Sequence, residues 1–219
     1  MKIIAIGDIH ERLNFLDLLR DEISTAQAVI VTGDLTQFGG VEEARKVLDT
    51  LRQINDNIYA QAGNLDAPDV ETYLSGLEIS LHGKGYLLGH VGIFGVGGSN
   101  PSPFSTPNEF SEESIYDFLQ RGYENVKDAS LKIMVPHMPP HNTKVDTITS
   151  GLHVGSTSVR RFIEEHQPDL CLTGHIHEAA GEDRIGKTHV LNPGPFYEGG
   201  FITIDIDETE ASAGLRFLA

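Results

Sequence analysis

Lys2-Ile3-Ile4-Ala5-Ile6-Gly7-Asp8-Ile9-His10 opens the chain with an apolar run of strand length. It breaks at a glycine and presents an aspartate and a histidine two residues apart. The pattern recurs. Ala28-Val29-Ile30-Val31-Thr32 runs into Gly33-Asp34, and Asn57 to Gln61 leads to Gly63-Asn64. Leu131 to Val135 precedes His137 in Pro136-His137-Met138-Pro139-Pro140, and Asp169 to Thr173 precedes Gly174-His175-Ile176-His177. Alternation along a strand puts residues two apart on one side, so Asp8 and His10 are expected to reach a single ion, and His175 and His177 repeat the spacing. Ligands of open α/β sheets collect beyond the carboxyl ends of the strands. Five sequence-distant strand ends should therefore bring Asp8, His10, Asp34, Asn64, His137, His175 and His177 together, with the preceding glycines allowing sharp turns and close approach.

Taken singly, each motif has a plainer use. Asp8 and Asp34 suit helix N-caps or turns, Asn64 a turn, and His137 a loop. Their joint order is what points to a metal site. Oxygen and nitrogen donors of this kind suit Mn, Fe, Zn or Ni, with Mg and Ca also open, and they are unlike a soft thiolate set. Of the other histidines, His82, His90, His166 and His189 read as structural or solvated. His141 and His153 share a long loop with His137, next to any cleft there.

Around these motifs the first half alternates strand and helix: strands at 2–6, 28–32 and 57–61, helices at 12–23, 41–54 and 69–74. Leu13, Leu16, Leu18, Leu19 and Ile23 give the first helix its expected inner face. This rhythm predicts parallel pairing with right-handed crossovers. Gly89-His90 reads as a hairpin turn between strands at 85–88 and 91–96. Loops follow at 97–107 and 136–155, separated by a helix over 112–125 and a strand over 131–135. The second loop is long enough to be functional or mobile. A helix over 156–165 and strands at 169–173, 188–191, 201–206 and 215–218 complete the reading. Ser99, Asn100, Ser102 and Thr106 are candidate substrate contacts, and Asn192-Pro193-Gly194-Pro195 a candidate cleft wall.

The 219 residues suffice for one domain without staples, and a single domain over 1–219 is expected. The first apolar run is too short for a signal peptide, and no stretch reaches membrane-spanning length, so a cytoplasmic protein without membrane attachment is expected. The lone Cys171 excludes an internal disulfide and reads as a buried thiol. Lys and Arg number 16 against 32 Asp and Glu, a net charge of −16. Such a surface disfavours long nucleic acid but not a small phosphorylated substrate, because divalent ions in a cleft reverse the local field. No Gly-x-Ser-x-Gly elbow supports a serine hydrolase. Self-association is left open.

Asp-x-His, Gly-Asp, Gly-Asn, His and Gly-His-x-His, in this order, resemble the calcineurin-like metallophosphoesterases, over nearly the whole chain. The resemblance implies a four-layer α/β/β/α sandwich with two mixed sheets. It implies hydrolysis of phosphate esters, diesters favoured over monoesters, by a hydroxide activated between two metal ions. Asp8, His10 and His177 would hold the first ion and Asn64, His137 and His175 the second, with Asp34 bridging them about 3.5–4 Å apart. Asn64 would also touch substrate. A non-catalytic scaffold, as the retromer subunit of this fold is, or a metal-dependent nuclease are the alternatives. The scaffold predicts eroded ligands, and the charge argues against the nuclease.

One departure stands out. Many members continue Gly-Asn-His, whereas this chain reads Gly63-Asn64-Leu65-Asp66. Leucine cannot donate a proton, and general acid help is worth about 10²–10⁴-fold. Alkyl esters should therefore react more slowly than aryl esters unless His153, His141 or a water supplies the acid. His153 is the candidate named for that role.

Overall fold

The computed structural model describes residues 1–219. Its first sheet contains β1 (Lys2–Ile6), β2 (Ala28–Val31), β3 (Ile58–Ala60), β10 (Gly200–Ile206) and β11 (Ala211–Phe217). The spatial order is β11-β10-β1-β2-β3, parallel from β1 to β3 and antiparallel from β1 out to β11. The second sheet holds β4 (Gly85–Leu88), β5 (Val91–Val96), β6 (Leu131–Pro136), β7 (Leu170–Leu172), β8 (Gly181–Ile185) and β9 (Thr188–Asn192). Here the order is β4-β5-β6-β7-β9-β8, with parallel strands in the middle and antiparallel edges. Both sheets are mixed, as expected.

Side-chain alternation sorts the layers. Ile3 and Ala5 of β1 and Ile30 of β2 face Ile93, Ile133 and Leu172 of the second sheet in one buried cluster. Ile4, Ile6, Val29 and Val31 point the other way. They meet α1 (Leu16–Thr25), α2 (Val41–Arg52) and α3 (Pro68–Gly76) through Leu19, Leu48 and Leu74. Phe94, Met134 and Cys171 pack outward onto α4 (Glu112–Glu124) and α5 (Thr157–His166) through Leu119, Phe162 and Ile163. Strands buried on both faces need the near-continuous apolar runs this chain carries. The result is the four-layer α/β/β/α sandwich. Cys171 is buried, as expected, and burial pushes its thiol pKa far up.

Some boundaries differ from the sequence reading. The first helix starts at Leu16 rather than Arg12, because His10 and Glu11 adopt φ of 47° and 63° and the chain is still turning. Leu18 belongs to the outer face, 63% exposed. β8 was unforeseen: Gly-Glu-Asp-Arg-Ile is an edge strand whose polar residues face solvent, paired with β9 across a turn at Gly186. No helix is long and apolar enough to cross a membrane.

Candidate metal centre

All seven expected donors lie past strand ends, yet the two-apart spacing works differently from a pleat. β1 stops at Ile6, and Asp8 and His10 follow it in left-handed backbone, with φ of 48° and 47°. β7 stops at Leu172, His175 has φ of 66°, and His177 begins a 3-10 turn over His177–Ala179. Asp34 is left-handed too, at 50°. The backbone doubles back and aims paired side chains inward. Hydrogen bonds hold it there: Asp8 N donates to Gly33 O, and Ile9 N and His10 N to Asp34 O. Close approach explains the glycines. A Cβ at Gly63 would land on the Asp34 carboxylate, and one at Gly33, whose φ is 127°, on the His137 ring.

Asp34 Oδ2 lies 3.8 Å from His10 Nε2 and 3.6 Å from His137 Nε2. His177 Nε2 is 3.2 Å from Asp8 Oδ1 and 3.3 Å from His10 Nε2. His137 Nε2 is 3.1 Å from Asn64 Oδ1. Two overlapping groups result, Asp8-His10-His177 and Asp8-Asp34-His137, each with donor atoms within 4.8 Å of one another. His175 falls outside both. Its ring centroid is 5.3 Å from that of His137, and its backbone N–H donates to the Asp8 carboxylate. The donors come from both sheets.

The proton positions follow from the neighbours. His10 Nδ1 faces Thr36 O at 3.2 Å and His137 Nδ1 faces Thr32 O at 3.1 Å. A carbonyl only accepts, so each Nδ1 carries a hydrogen and each Nε2 is the nitrogen turned toward the centre. The Nε2 atoms face carboxylate, amide and imidazole atoms, which repel one another unless a proton or a metal ion lies among them. Asp8 and Asp34, 0% and 2% exposed, form ion pairs with histidines alone. Burying a carboxylate costs several kcal/mol unless it is well paired. This donor set therefore fits small divalent ions.

The local field agrees. Burial, the largest influence, raises the Asp8 pKa. The hydrogen bond from His177 and the charges of His137, His177 and His10 outweigh it and leave Asp8 far below the usual carboxylate range. Burial likewise opposes charge on His137, yet Asp34 and then Asp8 lift it to about 9. Burial lowers His175 to about 4, helped by His137. Burial opposes charge on His177 too, but Asp8 shifts it upward. A proton and a metal ion compete for such lone pairs.

Sequence reasoning missed the residues that brace the donors. Buried Asp66 accepts from Gly63 N, Leu35 N, Thr36 N and Thr36 Oγ1, locking the Asp34 and Asn64 turns together. Burial and the charge of Asp34 raise its pKa to about 7. Asn108 Nδ2 donates to Gly63 O at 3.0 Å. Arg12 stacks 3.4 Å above the Tyr197 ring, whose hydroxyl is 3.4 Å from His177 Nδ1. Asp66 follows Asn64 by two residues, a signal that was there to use. For Asn108 and Tyr197 there was none.

A cleft of about 640 Å³ opens over the centre. Asn64, His175 and His177 of the centre line it, together with Pro101, Phe104, Ile148, His153 and Val154. Asn100 and Ser102 also line it, as does Thr106. The hydroxyls of Ser102 and Thr106, however, donate to Glu109, and Ser99 is buried. His141 is not part of the lining. Asn192 stands behind the site rather than in its wall, its amide donating to Ile176 O and Ala179 O. The 136–155 loop is pinned rather than loose: Arg160 donates to His141 O and Asn142 O, and Lys144 N to Asp183.

The calcineurin-like phosphoesterase family model matches residues 1–179, and the chain belongs to that family. An uncharacterized protein of Methanocaldococcus jannaschii is 37% identical over 202 residues, 89% of this chain and 88% of its own. Among solved structures, a protein of Thermus thermophilus aligns with a TM-score of 0.74 at 19% identity, covering 97% of each chain. A dimetal phosphatase from Danio rerio aligns at 0.65 with 14% identity, over 99% of this chain and 96% of its own. At these identities the structural likeness is one of fold. Family and clustered donors together support a metal-dependent phosphoesterase.

Proposed function

We propose that the protein hydrolyses small phosphodiesters in preference to monoesters at a centre of two divalent ions. Asp8, His10 and His177 hold one ion, Asn64, His137 and His175 the other, and Asp34 lies between them. The observation that carries this reading is the pair of buried carboxylates, Asp8 and Asp34, whose only charge partners are imidazoles. When bound, such ions neutralise phosphoryl oxygens and acidify a water.

The chain's own groups do the positioning. Thr32 O and Thr36 O fix the tautomers of His137 and His10. Asp66 holds the Asn64 turn, so that Oδ1 serves the centre and the amide N–H2 is left for a phosphoryl oxygen. The cleft lining includes no Lys or Arg to meet the second charge of a terminal phosphate, which favours a singly charged diester.

A matrix of aryl monoesters, aryl diesters and cyclic nucleotides against Mn²⁺, Ni²⁺, Zn²⁺, Fe²⁺ and Mg²⁺ tests the reading. Diester turnover should exceed monoester turnover with at least one metal. Faster monoester turnover would reject the diester preference, and protein that retains no metal would reject the centre. Firm metal binding without turnover of any ester would favour the scaffold alternative.

A further inference from the structure

The cleft over the centre is also lined by part of a second polar device that the metal ligands do not use. Asp146 is 0% exposed, and its Oδ1 accepts from His153 Nδ1 at 2.7 Å and from Thr143 N at 2.8 Å. Its Oδ2 accepts from Asn142 N and Gly155 N, each at 3.0 Å. Burial works against the charged carboxylate, but these bonds, that from His153 foremost, hold its pKa below the ordinary range. An ionised Asp146 only accepts, so it keeps a hydrogen on His153 Nδ1. Nε2, on the opposite edge of the ring, is then the nitrogen that exchanges protons.

His153 lines the same cleft as Asn64, His175 and His177, its side chain 36% exposed. The other groups near it are Thr147 Oγ1 at 3.3 Å, the His141 ring at 5.9 Å, and Glu178 in the same lining. Beside it Ile148, Val154 and Phe104 form an apolar surface, with Phe104 82% exposed on a loop that Glu109 ties down. Leu65, directly after Asn64, has no proton to give.

We propose that His153, oriented by Asp146, is the acid that protonates the leaving oxygen of a diester whose departing alcohol is apolar or aromatic and lies along Phe104, Ile148 and Val154. The inference rests on the two-metal reading above. In the step, a hydroxide derived from water forms the new P–O bond while the P–O bond to the alcohol breaks. The electron pair leaves on the alcohol oxygen, which takes the proton from His153 Nε2. The products are an alcohol and a phosphomonoester, and His153 regains its proton from solvent.

The test compares wild type, His153→Gln and Asp146→Asn, all loaded with Mn²⁺, on bis(p-nitrophenyl) phosphate and dibenzyl phosphate. Nitrophenolate departs unaided, whereas a benzyl alkoxide needs a proton. His153→Gln should lose about 10²–10⁴-fold in kcat on the benzyl ester and about tenfold or less on the nitrophenyl ester. The basic limb of its benzyl-ester pH profile should vanish. Asp146→Asn, a positioning variant and the second probe should His153→Gln fail to fold, should move that limb to lower pH. Manganese content should stay equal in all three. Equal losses on both esters, an unmoved basic limb, or a wild type active only on the nitrophenyl ester would overturn the proposal. A wild type that binds no manganese, or hydrolyses neither diester, would instead overturn the two-metal reading.

Discussion

Under the cleft, the buried floor of the centre carries Asp8, His10, Asp34 and His175 in left-handed backbone a few residues past strand ends. Of these His175 alone reaches the lining, and main-chain hydrogen bonds tie the Asp8, His10 and Asp34 turns together. On the wall, residues 97–107 and 136–155 form longer loops that rest on carboxylates. Glu109 collects Ser102 and Thr106, and Asp146 collects Asn142, Thr143, His153 and Gly155. Both regions are held in place, the floor by left-handed turns that Asp66 cross-links and the wall by the anchors Glu109 and Asp146. The metal donors thus sit in fixed turns, and His153 with the apolar part of the lining on anchored loops. A turn fixed by φ tolerates little change, whereas an anchored loop can vary its tip as long as the anchor stays.

The largest break should come on the floor. Asp34→Asn removes the charge that His10 and His137 share, and metal affinity should fall by more than about 100-fold, since even residues behind metal ligands cost about 10–100-fold. Calorimetric titration with Mn²⁺ measures it, and an unchanged affinity would remove Asp34 from the centre. Gly63→Ala should come next, because the new methyl meets the Asp34 carboxylate and main chain. A stability loss of about 1–3 kcal/mol in denaturant titration is expected, together with weaker metal binding. The smallest effect belongs to the wall. Glu109→Gln should raise KM for the benzyl diester by up to about tenfold, ~1.4 kcal/mol, and leave manganese content alone.

Acid sharpens the same contrast. Burial opposes charge on Glu109, but hydrogen bonds from Ser102 and Thr106 lower its pKa from 4.5 to about 2. A carboxylate depressed by folding contributes stability above pH 4.5 and loses it as pH falls through about 2. Amide exchange at Ser102 and Thr106, corrected for intrinsic rates, should therefore accelerate between those values. In Glu109→Gln it should be fast throughout. Equal protection in both proteins would show that Glu109 is not the anchor.

How much of this could be read in advance follows the same division. The buried strands announced themselves because burial on both faces demands unbroken apolar runs such as Lys2–Ile6 and Ala28–Val31. The glycine-flanked donors were legible for a related reason, since only residues without a side chain fit where turns touch. The route by which Asp8 and His10 converge was not legible. Left-handed backbone leaves no mark in residue spacing, and turns rather than a pleat bring Asp8 and His10 together. Edge strand β8 was hidden by its polar outer face, and Asn108 and Tyr197 by being remote in sequence from what they support. The anchoring role of Glu109 could not be separated from that of any other loop acid.

Asp8, His10, Asp34 and Asn64 follow strands of one sheet, while His137, His175 and His177 follow strands of the other. Any cation caught among them is a rivet through the seam of the sandwich. Prising the layers apart then means first letting the cation go, so resistance to heat and denaturant climbs with free metal. At a hundredfold excess over the dissociation constant the gain is about 2.7 kcal/mol per site. A cell that starves this protein of metal would thus loosen its architecture along with silencing its chemistry.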